Sequence, residues 1–128
     1  MTGTTANTAS GIGLRKFSLW VLIAGLANVA VFLAGQAAGA SMTVNALEIN
    51  VAMALFATVA LLAIAGLVTS LISRRHPGFL GTARWLGLVF GLVTAGMPLY
   101  ASADVTTGVS LALMHVFAGL SWYLGIKR

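Results

Sequence analysis

Few side chains in this sequence have the chemistry to react, and those few are scattered. The chain has 128 residues, of which 7 are basic, 2 are acidic, 2 are histidine and none is cysteine. Without cysteine there is no thiolate nucleophile, no disulfide and no thiolate ligand for a metal. Ser110 and Ser121 fall on helix positions away from His115, so neither has an evident base. The sequence therefore predicts no catalytic residue.

His115 has the strongest potential for chemistry, because it falls near the middle of a long apolar stretch. An ionisable group at this depth marks either a functional site or a hydrogen bond between helices. Asn28, Thr58 and Thr94 fall near the middle of other apolar stretches. We expect these four residues to form a polar cluster at the membrane midplane. We interpret the cluster first as hydrogen bonding that joins helices, with a ligand site or proton-responsive site as the alternative.

Other combinations of residues are weaker evidence for a functional site. His115 and a nearby methionine can in principle ligate a haem, but methionines in membrane helices mostly serve packing. We therefore expect no cofactor and no metal. Glu48 and Asp104 each stand at the start of an apolar stretch, where carboxylates cap helices more often than they form a catalytic pair.

Four apolar stretches position these residues, each of about the 20 residues that cross a bilayer. With 59% hydrophobic and 7% charged residues, the composition excludes a soluble domain and a disordered chain. Seven basic residues in three separate places also exclude a nucleic-acid partner. The predicted fold is all-α, an antiparallel up-down four-helix transmembrane bundle in one domain, residues 17–126. Its spans are predicted at about 17–38, 47–73, 82–101 and 105–126, between a disordered, basic N-terminal segment (1–16) and a basic end (127–128).

The ends of the spans carry helix-end chemistry. Asn45 and Glu48 have the spacing of a capping box for the second helix, and Asp104 is placed to cap the fourth. The sequence His-Pro-Gly at 76–78 ends the second helix. Because Pro98 has no N–H, one carbonyl of the third span is expected to be free.

Charge asymmetry predicts the orientation. The basic residues fall on one side of the four spans: Arg15, Lys16, Arg74, Arg75, Arg84, Lys127 and Arg128. The positive-inside rule then puts both termini in the cytoplasm. Three tryptophans near the same helix ends, Trp20, Trp85 and Trp122, are predicted to form an interfacial belt. The alternative, that the first span is a signal peptide cleaved after 38–40, is disfavoured by its long apolar core.

Small residues predict the helix contacts, since apolar side chains do not drive association in lipid. The predicted packing residues are Gly87 and Gly91 on the third span and Gly108, Ala112 and Gly119, which share an arc with His115 and Trp122, on the fourth. In the first span the predicted inner face is Val21, Ala24, Gly25, Asn28, Phe32 and Gly35, and in the second it is Ala54, Thr58, Ala65 and Thr69. The predicted lipid face of the fourth span is Val109, Leu113, Phe117, Leu120 and Leu124.

Several short motifs share the pattern of one family. They are Arg15-Lys16, Gly-Ala-Ser-Met-Thr-Val at 39–44, Arg74-Arg75, Trp85, Met97-Pro98, Thr106-Thr107 and Leu113-Met114-His115. In these motifs the chain resembles a family of small four-span membrane proteins of unknown function, found mainly in actinobacteria. The resemblance covers nearly the whole chain outside the first ten residues. It implies a four-helix bundle in a bacterial cytoplasmic membrane and supplies no activity.

Two classes of function remain open. The leading hypothesis is a non-enzymatic membrane protein that acts in the lipid bilayer by helix–helix association, as a homo-oligomer or with a membrane-protein partner. The alternative is a small oligomeric transporter, channel or lipid-translocating protein that uses the polar cluster around His115. Small multidrug exporters need a glutamate inside the first span, where this chain has Asn28. A continuous polar path across the membrane favours transport, and a dry bundle with an outer groove favours association.

Overall fold

The computed structural model describes residues 12–126, and it confirms the predicted all-α fold with four helical spans. The helices are α1 (Leu14–Ala37), α2 (Val51–Arg75), α3 (Phe79–Thr94), α4 (Gly96–Ala101) and α5 (Val105–Ile126), with α3 and α4 together forming the third span. Each span is long and apolar enough to cross a membrane, as expected of a multi-pass membrane protein. Since α1 begins at Leu14, Arg15 and Lys16 lie in its first turn. Most of the predicted disordered segment (1–16) lies outside the described residues. The basic pair Lys127-Arg128 lies wholly outside them.

The last helix, α5, is the centre of the bundle. It packs on α1 at one side and on α3 and α4 at the other, whereas α2 packs chiefly on α1. In the most apolar stretch of α5, 44% of the residues are buried, against 17% in α2 and 17% in the third span. The predicted lipid face of α5 is exposed along its length. The helices therefore form an open arrangement with α2 at one edge.

Among residues 12–126, buried side chains form two clusters in the bundle, one near each end. The basic end is where α1 begins, α2 joins α3 and α5 ends; its cluster consists of Phe17, Leu80, Ala83, Trp122 and Ile126. The hairpin end comprises residues 38–50 and 101–104; the cluster beside it consists of Phe32, Ala40, Met42, Ala54, Leu111 and Met114.

Trp122 belongs to the core, so the prediction that it joins an interfacial belt is wrong. Its ring is 6% exposed, and its Nε1 donates a hydrogen bond of 2.8 Å to the carbonyl of Ala83. The ring of Phe17 meets it edge-on, with 5.8 Å between the centroids. An indole with a partner for its N–H can be buried at little cost, and this tryptophan joins three spans at the basic end.

The third span is interrupted at Ala95, between α3 and α4. Pro98 cannot donate to the carbonyl of Thr94, as the sequence predicted, and the regular helix stops at that carbonyl. The ring of Pro98 is buried. The interruption brings the backbone of α4 against α5.

A short hairpin replaces the predicted start of the second helix. Strands β1 (Thr43–Val44) and β2 (Leu47–Glu48) pair antiparallel. The turn residues Asn45 and Ala46 have φ angles of 49° and 66°, as a tight two-residue hairpin turn requires. The predicted capping box of Asn45 and Glu48 is therefore wrong. The N-cap of α2 is Asn50, whose side chain accepts a hydrogen bond of 2.8 Å from the N–H of Met53.

Candidate functional site

One polar contact between side chains of different spans joins Asn28 on α1 to Thr58 on α2. Asn28 is 2% exposed, and its Nδ2 donates a hydrogen bond of 2.9 Å to Oγ1 of Thr58. That hydroxyl in turn donates to the carbonyl of Ala54 at 2.8 Å. The amide oxygen of Asn28 is also buried, and it has no hydrogen-bond partner among the described residues. The pair holds two helices together and leaves one acceptor unused.

Thr94 and His115, the other members of the predicted cluster, bond to their own helices. Oγ1 of Thr94 donates to the carbonyl of Phe90 at 2.7 Å. Nδ1 of His115 donates to the carbonyl of Leu111 at 2.7 Å. Both residues are half-buried. Hydrogen bonds among the described residues thus divide the four-residue cluster into one interhelical pair and two separate side chains.

The predicted glycine face of the third span lies against α5. A Cβ at Gly91 would stand 2.9 Å from Cα of Gly119 and 3.0 Å from the carbonyl oxygen of His115. A Cβ at Gly87 would overlap the ring of Trp122. Helix backbones approach this closely only where side chains are absent. This contact fixes the position of His115 along the bundle axis relative to α3.

The remaining predicted packing residues also face contacts inside the chain. A Cβ at Gly108 would stand 3.0 Å from the carbonyl oxygen of Pro98, and Ala112 is half-buried on the same helix.

The inner face of α2 contains Gly66, where a Cβ would stand 2.5 Å from Cζ of Phe17. Ala65, which was predicted on that face, is exposed. In the sequence, the indication of this close contact with Phe17 is that Gly66 interrupts a run of larger apolar residues.

A second polar group, not foreseen as a cluster, lies around Asp104 at the hairpin end. Asp104 Oδ1 accepts from the N–H of Thr107 at 2.7 Å, which confirms the predicted cap. Its other oxygen accepts from the hydroxyl and the N–H of Ser41 and from the hydroxyl of Thr107. The Ser41 hydroxyl first, then the Thr107 N–H, lower the pKa of Asp104 from 3.8 to about 2. The carboxylate therefore fastens the loop after α1 to the start of α5.

The backbone of the same loop makes further hydrogen bonds. The N–H of Met42 donates to Oγ1 of Thr107 at 2.9 Å, and the N–H of Ala103 donates to the carbonyl of Thr43 at 2.9 Å. Val44 pairs with Ser102 as an isolated bridge. These contacts close the hairpin end of the molecule over the helices.

The described residues offer hydrogen bonds and close packing. Within residues 12–126, no three side chains of the types histidine, cysteine, aspartate and glutamate come together as a metal-binding group. His115 donates to a backbone carbonyl, and Asp104 accepts from four donors of its own chain. The hydrogen bonds described above therefore connect helices and loops of the same chain.

Comparison with known protein families identifies a match over most of the chain. A family model described as "Family of unknown function (DUF6069)" matches residues 10–128. No curated protein and no solved structure matches the chain.

Proposed function

Because this chain belongs to the DUF6069 family, whose function is unknown, we propose a function from its geometry. The protein is a non-enzymatic multi-pass membrane protein that acts by lateral association, with copies of itself or with another membrane protein. We place it in the bacterial cytoplasmic membrane of an actinobacterium, with both termini in the cytoplasm. The basic residues around one set of helix ends support that orientation.

One observation carries the proposal: the seam between α2 and α3 is open. In a closed bundle of four helices each helix has two main neighbours. Here α2 packs chiefly on α1, and its contacts with α3 and α5 are slight. Bulky side chains such as Phe56, Ile64 and Leu67 are more than half exposed on α2. A helix from a second chain can therefore pack against α2 without displacing a contact within this chain.

The polar and small residues support association through α2 over transport through the interior. Asn28 and Thr58 bond to each other, and Thr94 and His115 bond to their own helices. The glycines of the third span lie against α5. Because most of these groups bond or pack within the chain, a partner packs in this proposal against the exposed apolar face of α2.

Photochemical crosslinking within the membrane tests the proposal. Since the chain has no cysteine, single cysteines at Phe56, Ile64 and Leu67 can each carry a short benzophenone label. We expect irradiation in native membranes to give a discrete adduct from these positions, whose mass identifies a second copy or a membrane-protein partner.

Two positions on α1 provide the matched control. Leu22 and Leu26 are about as exposed as the α2 positions, but they lie on the face opposite to Asn28. We expect labels at these positions to crosslink mainly to lipid. Equal protein adducts from both helices, or none from α2, would contradict association through α2.

A second candidate function rests on the unused acceptor of Asn28. A buried amide oxygen without a partner costs free energy in a bilayer, where lipid cannot satisfy it. A transported ion, a proton carrier or a lipid headgroup that passes this position would satisfy it. This observation supports a small oligomeric transporter, channel or lipid-translocating protein, in which His115 contributes from α5.

Flux across proteoliposomes distinguishes this candidate. If it is correct, the reconstituted protein carries protons, ions or labelled lipid, and Asn28→Leu removes that flux while the protein still inserts. Undiminished flux in Asn28→Leu, or no flux from the unaltered protein, would exclude a role of this residue in transport.

A further inference from the structure

Arg84 is a partly buried cation at the basic end with unused hydrogen-bonding capacity. One of its terminal nitrogens donates to the hydroxyl of Tyr123, and its guanidinium carbon lies 4.1 Å from the centroid of the tyrosine ring. The ring of Trp85 meets the same tyrosine, with 5.1 Å between the centroids. Nε of Arg84 is buried, and it has no partner among the described residues. A guanidinium has five N–H donors in a fixed plane, and the bond to Tyr123 uses one of them, so its other terminal N–H groups remain available.

The acidic side chains of this protein cannot neutralise Arg84. The chain has two of them, Glu48 and Asp104, and both lie at the hairpin end, on the other side of the bundle. Asp104 is also occupied by Ser41 and Thr107. A desolvated cation is stabilised by an anionic partner that accepts its hydrogen bonds. An anionic partner for Arg84 therefore has to be a group other than these two carboxylates.

A cavity of about 270 Å³ opens beside Arg84. It is lined by Pro77, Gly78, Leu80, Gly81, Arg84 and Ile126. Its lining combines a cation with apolar side chains and bare backbone: a Cβ at Gly78 or Gly81 would have no atom within 4 Å. This combination suits a group that carries a negative charge beside hydrocarbon.

We propose that this cavity binds the phosphate group of an anionic phospholipid. Arg84 binds the phosphate oxygens through its free N–H groups, and the glycines allow the headgroup to reach it. The acyl chains extend from the cavity into the surrounding bilayer. The proposal is independent of lateral association, because the cavity lies between the α2–α3 loop and the end of α5 and not on the exposed face of α2.

A neighbouring cavity of about 500 Å³ is a useful contrast. It is lined by Leu71, Ile72, Arg74, Arg75 and His76, all from the end of α2. Its arginines are exposed, so they attract anionic headgroups through general surface electrostatics. The site at Arg84 differs because a partly buried guanidinium is held in place by Tyr123.

Native mass spectrometry of the full chain in detergent tests the proposal, with phosphatidylglycerol as the anionic probe and phosphatidylcholine as the zwitterionic one. We expect phosphatidylglycerol to bind at least about tenfold more tightly. Arg84→Gln, which removes the charge, and Gly81→Leu, which fills the cavity, should each weaken this binding about tenfold. Excess inorganic phosphate should not displace the lipid.

Two matched controls separate the site from general electrostatics and from loss of fold. Arg74→Gln removes one charge at the same end, and Gly96→Leu fills open space at the other end of the third span. Both should bind phosphatidylglycerol like the unaltered protein. If Arg84→Gln does not fold, Gly81→Leu still decides the question. Equal losses in Arg74→Gln and Arg84→Gln, unchanged binding in Gly81→Leu, or displacement by inorganic phosphate would overturn the proposal.

Discussion

At the scale of single residues, the polar side chains inside the spans offset the cost of burial in two ways. Thr94 and His115 return their hydrogen bonds to carbonyls of their own helices, which requires no partner helix. Asn28 depends on Thr58 across a helix contact. A substitution at Thr58 therefore affects two helices, whereas a substitution at Thr94 affects one.

Thr58→Val tests this difference. Valine has nearly the same shape but leaves Nδ2 of Asn28 buried without an acceptor, so we expect a loss of about 1 kcal/mol in the free energy of unfolding. Thr94→Val is the control, and it should cost less because no other helix depends on its hydroxyl. The measurement is reversible unfolding in mixed detergent micelles. Equal losses would show that the Asn28–Thr58 bond contributes little to stability.

Asp104 gives a prediction about pH. Its pKa falls from 3.8 to about 2 on folding, so its contribution to stability is present above about pH 4. That contribution is lost as the pH falls toward 2, because the unfolded state then binds the proton more tightly than the folded state does.

The variant Asp104→Asn isolates this effect. We expect its Tm to be lower than that of the unaltered protein at pH 6, with the difference narrowing between pH 4 and pH 2. Thermal unfolding across that range is the measurement. A difference that is independent of pH would mean that the carboxylate charge does not fasten the loop.

These residues also show what the sequence can predict and what it cannot. The cap by Asp104 was predictable, because it depends on neighbours within three positions. Its bonds to Ser41 were not, because they join residues 63 positions apart. The Asn45–Glu48 capping box failed for a similar reason. The backbone beside these residues pairs with the distant 102–103 segment, and a hairpin forms where local spacing indicated a helix.

At the scale of helices, glycines determine which spans touch. The predicted inner faces of α1 and of α5 are buried or half-buried in the structure, and the predicted lipid face of α5 is exposed. Helical periodicity identifies such faces because lipid-facing positions are bulky and contact positions are small. It does not identify the neighbour that each face meets. Trp122 was placed at the interface for this reason, since its position near a helix end gave no sign of the Ala83 carbonyl.

Two glycines on α3 provide a matched pair for the contact with α5. Gly91→Ala places a methyl group against backbone atoms of Gly119 and His115, which cannot move aside as a flexible side chain can. We expect a loss of about 1–3 kcal/mol in unfolding free energy. Gly81→Ala places the same methyl group in open space and should leave stability unchanged or raise it, by at most about 1 kcal/mol. A stable Gly91→Ala protein would contradict the close α3–α5 contact.

At the scale of the whole molecule, the two ends differ in charge and in closure. The hairpin end holds both acidic side chains and is closed by loop contacts around Asp104. The basic end holds the arginines among the described residues and the two cavities described above. This asymmetry supports an orientation with the basic end in the cytoplasm.

Single cysteines at the two ends test the orientation. In intact cells, a cysteine at Gly78 should be protected from a membrane-impermeant thiol reagent, and a cysteine at Ala103 should be labelled. The cysteine-free chain supplies the unlabelled background. Labelling at Gly78 with protection at Ala103 would reverse the orientation.

Counting subunits in lipid vesicles tests whether the protein associates laterally. Each chain carries one fluorophore, and photobleaching steps are counted at protein densities low enough to exclude chance encounters. The open α2–α3 seam predicts complexes of two or more labelled chains, or one labelled chain with a stoichiometric membrane-protein partner identified by its mass. Single chains without a bound protein at every density would contradict lateral association.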